Sequence, residues 1–236
     1  MIEIKNFTKK YGRKTAVSNL SLKIEDGDIY GFIGHNGAGK TTTIKSIVGI
    51  STFDEGDILI NGKSIKEYPI ECKKEMAYIP DNPDLYEHLK GIEYLNFIAD
   101  IYEIDKNIRE KKIKDYSTMF EIEGSLGNYI SSYSHGMKQK LAIISALIHS
   151  PKVLILDEPF VGLDPVSTHK LKEQMKELCK TGTSIFFSTH VLEVAEKLCN
   201  KVAVIKNGKL IKSGDMKKVT KDCSLEDVFM ELESNE

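Results

Sequence analysis

Hydrophobic and polar residues alternate along the first part of the chain, as in strands with one buried face. The alternation is clear at residues 2–4 (IEI) and 20–24 (LSLKI), and residues 57–60 lead into the turn signal Asn61-Gly62. A period of two predicts half-buried antiparallel strands, and Asn-Gly predicts a hairpin. We therefore expect an antiparallel sheet near the N-terminus.

The pattern changes over residues 86–149, where apolar residues recur at helical spacing. Helices are predicted over residues 92–102, 107–120 and 137–149, with a last capped helix at residues 224–231. These stretches predict a helical subdomain at residues 86–149. The core with its β-subdomain would then occupy residues 1–85 and 150–214, and residues 215–236 would form a short tail.

Short, uninterrupted apolar runs predict a second kind of strand. They are separated by helical patterns, which favours strands buried on both faces in a parallel sheet. The predicted fold is therefore α/β, with an N-terminal antiparallel β-subdomain and an inserted helical subdomain. The runs cover residues 29–33, 76–79, 153–156, 184–188 and 202–205.

A glycine-rich segment of the form G-x-x-x-x-G-K-[ST] directly follows the run at residues 29–33. Its glycines let backbone N–H groups point at phosphate oxygens, and the helix predicted to begin near Lys40 directs its positive end there. Lys40 would reach the β- and γ-phosphates, Thr41 would bind Mg²⁺ and Thr42 would hold the α-phosphate. The segment therefore predicts a nucleotide-binding P-loop NTPase core. Its residues are Gly34, His35, Asn36, Gly37, Ala38, Gly39, Lys40, Thr41 and Thr42.

Two carboxylates follow the apolar run at residues 153–156, at the strand end where ligands bind in open α/β sheets. Asp157 is predicted to hold the Mg²⁺ shell, and Glu158 to polarise an attacking water. A GTPase would need D-x-x-G after the P-loop and an N-K-x-D motif. Neither occurs, since Asn200-Lys201 continues as Val-Ala.

Residues 133–140 (YSHGMKQK) resemble the L-S-G-G-Q signature of the ATP-binding cassette (ABC) ATPases. Ser134 and Gly136 are kept, whereas Tyr133, His135 and Met137 replace the usual Leu, Gly and Gln. Ser134 can cap the following helix, whose N-terminus can receive a γ-phosphate. The resemblance implies that Ser134 and Gly136 contact ATP held by the P-loop of a second cassette, in a head-to-tail dimer.

Further positions fall in the order of the family, from residue 2 to about residue 214. Tyr11 matches the aromatic residue that stacks on adenine, with Val17 as a weaker candidate. Asp164, in Gly-Leu-Asp, resembles the D-loop aspartate, and His190 resembles the switch histidine that touches the γ-phosphate. Asp81 stands where the family usually has a glutamine beside Mg²⁺, so a metal-binding role for Asp81 is an open hypothesis.

Composition and charge agree with an ATPase subunit. The 236 residues include 33 basic and 35 acidic ones, a formal charge of −2, which gives no electrostatic case for nucleic-acid binding. The cysteines show no C-x-x-C spacing, as is typical of reduced cytosolic thiols. No signal-peptide region or apolar run long enough to span a bilayer is evident. The cysteines are Cys72, Cys179, Cys199 and Cys223.

The resemblance implies an ATP-hydrolysing subunit that powers a separate membrane-spanning transporter subunit, with Mg²⁺ as cofactor and a second ATP-binding subunit as partner. The signature variant, the segment Pro-Asp-x-Pro-x-Leu-Tyr and the tail sequence SLEDVF are most similar to bacterial exporters of the ABC-2 kind. The expected location is cytoplasmic, on the inner face of the membrane through the partner. The alternative is a soluble ABC ATPase that acts on ribosomes or DNA. A regulatory cassette without turnover is a third possibility, against which Glu158 argues.

Overall fold

The computed structural model describes residues 1–221 and 223–234. An antiparallel sheet of four strands in the order β2-β1-β4-β5 forms the N-terminal part, as predicted. The strands are longer than the strict alternation indicated, because register shifts interrupt β1 on both sides of Phe7 and break the period of two. Their bounds are β1 (Ile2–Tyr11), β2 (Lys14–Ile24), β4 (Glu55–Ile60) and β5 (Lys63–Ser64).

The second sheet has six strands and contains all five predicted apolar runs. The six strands are β3 (Ile29–Ile33), β6 (Met76–Ile79), β7 (Val153–Asp157), β8 (Ser184–Thr189), β9 (Lys201–Lys206) and β10 (Lys209–Asp215). The order is β10-β9-β3-β8-β7-β6; β10 is antiparallel to β9, and the other neighbouring strands pair in parallel. Because the parallel strands share one direction, the segments after β3, β7 and β8 meet at the same edge of the sheet.

Both faces of this sheet are buried, which explains its uninterrupted apolar runs. Along β7, Leu154 and Leu156 join one hydrophobic cluster, whereas Val153 and Ile155 join the other. The first cluster fills the space toward the helical part of the chain, and the second lies between the sheet, helix α1 (Lys40–Ile47) and the antiparallel sheet. Side chains that alternate across a pleated strand therefore serve two cores.

The helices agree with the prediction except at their ends. Helix α5 begins at His135, two residues before the predicted start, because Ser134 itself is the N-cap and its Oγ accepts a hydrogen bond from the Met137 N–H. The helices after α1 are α2 (Pro69–Glu75), α3 (Gly91–Ile101), α4 (Lys106–Met119), α5 (His135–Leu147), α6 (Pro165–Lys180), α7 (Leu192–Leu198), α8 (Met216–Thr220) and α9 (Leu225–Ser234).

Residues 86–149, the predicted helical subdomain, contain α3, α4, α5 and two short 3-10 turns. The boundaries drawn from the sequence stay a prediction, and Asp222, Asn235 and Glu236 of the predicted tail lie outside the described residues. Within residues 1–221 and 223–234, none of the helices has the length and apolar character needed to cross a bilayer.

Candidate active site

The glycine-rich loop joins β3 to α1 and forms the floor of a cleft of about 560 Å³. Gly39 precedes the first residue of α1 with φ +111°, a conformation that side-chain-bearing residues rarely adopt. No side chain caps α1, so its first N–H groups are available to an anion in the cleft. This geometry suits a phosphate group.

Lys40 is buried and points back along the loop. Its ammonium donates to the Gly34 carbonyl at 2.6 Å and the His35 carbonyl at 3.3 Å, and lies 3.8 Å from Glu158 Oε1. Burial lowers the pKa of Lys40, and the carboxylates of Glu158 and Asp157 oppose that shift. The loop thus holds a cation at the cleft, while Thr41 and Thr42 line the cleft from the first turn of α1.

Asp157 ends β7 and is 1% exposed. The Ser188 hydroxyl donates to its Oδ1, whereas Oδ2 is buried and has no hydrogen-bond partner among the described residues. Burial raises the pKa of Asp157; the hydroxyl groups of Ser188 and Thr41 oppose the shift, and the charges of Asp81 and Glu158 add to it. An orphaned carboxylate oxygen fits an oxygen-binding cation such as Mg²⁺, which takes one or two protein carboxylates and completes its shell with phosphate and water.

The described residues contain no group of three or more His, Cys, Asp or Glu side chains arranged to hold a metal by themselves. Asp157 and Thr41 are the residues here that could hold a magnesium ion, with phosphate and water oxygens completing its shell. Asp81 also lines the cleft; its carboxylate accepts a hydrogen bond of 2.9 Å from the Asn82 N–H and remains exposed.

Glu158 follows directly and has a left-handed backbone with φ +48°, which is uncommon for a residue with a side chain. Its N–H donates to the Ser188 Oγ at 3.1 Å. Its carboxylate lies between two groups, with Oε1 3.8 Å from the Lys40 ammonium and Oε2 3.0 Å from His190 Nδ1. The fold therefore brings together three predicted residues from three different strand ends.

The two residues predicted to contact the adenine of the nucleotide, Tyr11 and Val17, differ in their surroundings. Tyr11 lies at the end of β1, is 52% exposed and lines the cleft. Lys9 Nζ lies 4.9 Å from the Tyr11 ring centroid. Val17, the weaker candidate, is fully buried in the second hydrophobic cluster, with Cγ2 only 2.9 Å from the position that a Cβ on Gly39 would take. Val17 supports the loop from behind instead of facing the cleft.

Ser134 and Gly136 lie at the N-terminus of α5 and are absent from the lining of the cleft. The neighbouring His135 is exposed and packs on Gly162, whose φ is +81°; a Cβ there would lie 2.5 Å from His135 Cδ2. Tyr133, which replaces the usual leucine, is buried and donates its hydroxyl to the Ser125 carbonyl at 2.7 Å. His135 and Tyr133, which replace the usual signature residues, thus contact other parts of the same chain.

Asp164 is the N-cap of α6 and accepts a hydrogen bond of 2.8 Å from the Ser167 N–H. Its Oδ2 lies 2.8 Å from the Lys140 ammonium. The hydrogen bonds from Lys140 and Ser167 hold the pKa of Asp164 well below its usual range. Asp164 therefore links α6 to α5, the helix that carries the signature.

Sequence reasoning missed several contributors. Ser188 orients Asp157, and Lys140 pairs with Asp164. In each case the partner is distant in sequence, so no local pattern predicts the contact. Four other residues of the cleft come from the segment before Val17 and from the turn after β9: Lys14, Thr15, Ala16 and Asn207.

A second cavity of about 680 Å³ lies at the opposite, amino-terminal ends of the parallel strands. Its lining includes Asp26, Lys152 and Thr183, which immediately precede or lie near β3, β7 and β8. Because ligands of open α/β sheets bind at the carboxyl ends of the strands, the smaller cleft is the candidate site.

Comparison with known proteins agrees with this site. The chain matches the family model for ABC transporters over residues 17–161. It is 37% identical to the ABC-type transporter ATP-binding protein EcsA of Bacillus subtilis (strain 168) over 98% of this chain and 96% of EcsA. The structure of an ATP-binding subunit of an ABC transporter has a TM-score of 0.95 and 33% identity, over 99% of both chains.

The dimeric cassette MJ0796, in a post-hydrolysis state bound to ADP and Pi, shares the fold with a TM-score of 0.83 and 23% identity. That match covers 92% of this chain and 99% of the MJ0796 chain. The P-loop, the paired carboxylates and these similarities lead to one assignment. The chain belongs to the ABC transporter family, as one of its ATP-binding, ATP-hydrolysing subunits.

Proposed function

We propose that this subunit hydrolyses ATP at sites shared between two cassettes and that Glu158 is the general base. The observation that carries the proposal is the position of the Glu158 carboxylate, 3.0 Å from His190 Nδ1 and 3.8 Å from the Lys40 ammonium. A water beside the γ-phosphate would meet Glu158 as a proton acceptor, while Lys40 and His190 would stabilise charge on the phosphate oxygens. The left-handed backbone of Glu158 suits a residue held for function.

In the same proposal the P-loop N–H groups and Thr42 hold the phosphates, and Tyr11 stacks on the adenine. The residues that would hold Mg²⁺ are Thr41 and Asp157, whose Oδ2 is otherwise unsatisfied among the described residues, with Asp81 close enough to contribute. Bound there, Mg²⁺ would neutralise phosphate charge and orient the γ-phosphate. Ser188 keeps Asp157 in one orientation by its hydrogen bond.

Hydrolysis in this proposal requires a second cassette, because Ser134 and Gly136 stand on an exposed helix end away from the chain's own cleft. The N-terminus of α5 would receive the γ-phosphate held by the other P-loop. A head-to-tail pair closes two such sites at once, as two-fold symmetry demands. The dimeric state of the MJ0796 cassette supports this arrangement by analogy. In a homodimer, Asp164 would lie near the partner's site.

The membrane partner is proposed to dock near an aromatic cluster in the helical part. Tyr86 is 51% exposed, and its ring lies 5.8 Å from Phe97 and 6.2 Å from Tyr94. Leu85, in contrast, is buried in the core and belongs to the packing. Exposed aromatic residues beside the loop that contains Asp81 suit a coupling surface between nucleotide and transporter. The subunit would then lie at the inner face of the membrane through this partner.

The ABC-2 kind of exporter is the proposed class, carried by the signature variant, the segment after β6 and the SLEDVF tail sequence. A partner encoded nearby with about six predicted spans would support it. Tyr86→Glu should reduce co-purification of the transporter subunit from detergent-solubilised membranes. Tyr68→Glu, at an exposed tyrosine beside α2, is the matched control. Equal recovery with both variants would place the docking surface elsewhere.

The substitution Glu158→Gln tests the base assignment. It should retain ATP binding and lower the turnover number by about 10²- to 10⁴-fold, because the amide is a poor proton acceptor. ATP binding is measured by calorimetry and turnover by phosphate release. Glu177→Gln is the control, since Glu177 is an exposed acid on α6 that pairs with Lys180. Wild-type turnover in Glu158→Gln would remove Glu158 from the proposed mechanism.

A further inference from the structure

The last helix, α9, reaches the nucleotide loop. The Phe229 ring packs edge-on against the imidazole of His35, with ring centroids 4.9 Å apart and planes at 67°. His35 is the first residue after Gly34 in the P-loop and lines the nucleotide cleft. Phe229 therefore touches a residue of the binding site while lying outside the cleft itself.

Helix α9 is seated on the core by more than this one ring. Leu225, Val228 and Phe229 are buried in the first hydrophobic cluster, and the Leu225 N–H donates to Glu196 Oε2 at 3.1 Å. Glu196 belongs to α7, the helix that follows His190. The tail helix thus rests on two segments of the site, the loop that contains His35 and the helix after the switch histidine.

The start of α9 is closed by reciprocal hydrogen bonds. The Asp227 N–H donates to Ser224 Oγ at 3.0 Å, and the Ser224 N–H donates to Asp227 Oδ2 at 3.1 Å. Such a capping arrangement holds the first turn in place. The cap fixes the first turn, and the bond from the Leu225 N–H to Glu196 and the Phe229–His35 contact fix α9 relative to α7 and the P-loop.

The backbone of His35 is a junction within the phosphate-binding loop. Its carbonyl accepts a hydrogen bond of 3.1 Å from the Ala38 N–H and one of 3.3 Å from the Lys40 ammonium. A shift of His35 would therefore move the turn that presents N–H groups to phosphate and would also move Lys40. An edge-to-face aromatic contact restricts such a shift without occupying the cleft.

We propose that Phe229 is a positioning residue for nucleotide binding: the tail helix holds His35 and thereby keeps the P-loop in its phosphate-binding conformation. By reciprocity, nucleotide on the loop stabilises the seating of α9. The inference uses the established assignment as an ATP-binding subunit and does not depend on the proposed roles of Glu158, Ser134 or the membrane partner.

The test measures the dissociation constant of ADP by calorimetry, because ADP binds without turnover. Phe229→Leu keeps an apolar side chain of similar volume and loses the ring, so ADP affinity should fall about 2- to 10-fold. His35→Ala removes the other ring at an exposed position, and its loss of ADP affinity should lie within the same range. Val228→Ala, in the same buried face of α9, is the control and should leave ADP affinity at the wild-type value.

The double variant His35→Ala/Phe229→Leu separates positioning from general packing. If the two rings act through each other, the double variant should bind ADP about as well as either single variant, so the effects are not additive. Hydrogen exchange of α9 amides should also slow on ADP binding in the wild type and less so in Phe229→Leu. Thermal unfolding confirms that each variant is folded.

Three results would overturn the inference: ADP affinity unchanged in Phe229→Leu, equal losses in Phe229→Leu and Val228→Ala, or additive losses in the double variant. If Phe229→Leu fails to fold, Phe229→Met supplies the same comparison, because it also removes the ring and keeps a long apolar side chain in the buried face of α9. Absence of ADP binding by the wild-type protein would instead refute the nucleotide site itself.

Discussion

The P-loop face, which contains Lys40, Asp157 and Glu158, and the signature face, which contains Ser134, His135 and Gly136, differ in one respect. The P-loop face has more of its polar contacts within its own chain. At the P-loop face, Lys40 and Asp157 are 6% and 1% exposed, and Glu158 lies between Lys40 and His190. At the signature face, Ser134 and His135 are exposed, and the Ser134 hydroxyl caps α5. The P-loop face is a charged pocket, whereas the signature face is an exposed helix N-terminus.

The difference follows from the elements that carry each face. Strand ends of a parallel sheet converge, so residues from β3, β7 and β8 meet without a partner. A helix N-terminus instead projects its N–H groups outward, and it needs an anion from elsewhere. The comparison teaches that folding of one chain assembles the charged groups of the P-loop face, whereas the proposed contact at the signature face requires a second molecule.

Removing Lys40 should have the largest effect. In Lys40→Ala, the binding of ADP and ATP should weaken by roughly 10²-fold or more, because a buried cation facing phosphate and two carboxylates is lost. Calorimetry provides the measurement. Lys45→Ala, on the exposed side of the same helix, is the matched control and should bind as the wild type does. Similar affinities for Lys40→Ala and the wild type would mean that the P-loop face is not the binding face.

Ser134→Arg probes the other face. Turnover should fall about tenfold or more, because a bulky cation blocks the helix end and opposes the positive end of its dipole. ADP affinity of the single chain should stay unchanged. We expect Glu158→Gln to dimerise with ATP and Mg²⁺, because it binds ATP with little turnover, and the addition of Ser134→Arg should abolish that dimer in sedimentation. Ser134→Thr keeps the capping hydroxyl and serves as control. Full turnover in Ser134→Arg would show that one face alone is sufficient.

Asp81 sharpens the comparison by asking whether the P-loop face has an additional metal ligand. In Asp81→Gln, the Mg²⁺ concentration for half-maximal stimulation of ATP binding should rise about 3- to 10-fold, because a carboxylate near the metal is removed. Asp84→Asn, an exposed carboxylate in the same loop, is the control. Identical Mg²⁺ titrations for the two variants would assign Asp81 to the shape of the loop.

The smallest effect concerns stability and originates beyond the C-terminal end of α5, the signature helix. His149 stacks on Tyr102 with ring centroids 3.8 Å apart, and burial, aided by Lys112, lowers its pKa to about 4. The neutral form is favoured in the fold, so the free energy of unfolding should decrease as pH falls from about 6.5 to about 4. His149→Gln should flatten that part of the profile in chemical denaturation. A profile unchanged by the substitution would contradict the assignment.

Local patterns were sufficient wherever the deciding interaction lies within a few residues. The period of two in residues 20–24, the glycine spacing before Lys40 and the apolar run before Asp157 each depend on neighbouring residues, so the elements and the P-loop were predictable. The cap by Ser134 was predictable for the same reason. The exact start of α5 was not, because the N-cap position moves the helix start by two residues relative to the apolar pattern.

The sequence by itself determined the α/β fold, the phosphate loop, the paired carboxylates and the family. Tertiary structure alone decided that Val17 faces the core, that Ser188 orients Asp157 and that Phe229 reaches His35. These contacts join residues that are far apart in the chain, and each depends on how sheets and helices pack. A one-dimensional pattern records the periodicity that forms an element, but not which neighbour that element meets once the cores close.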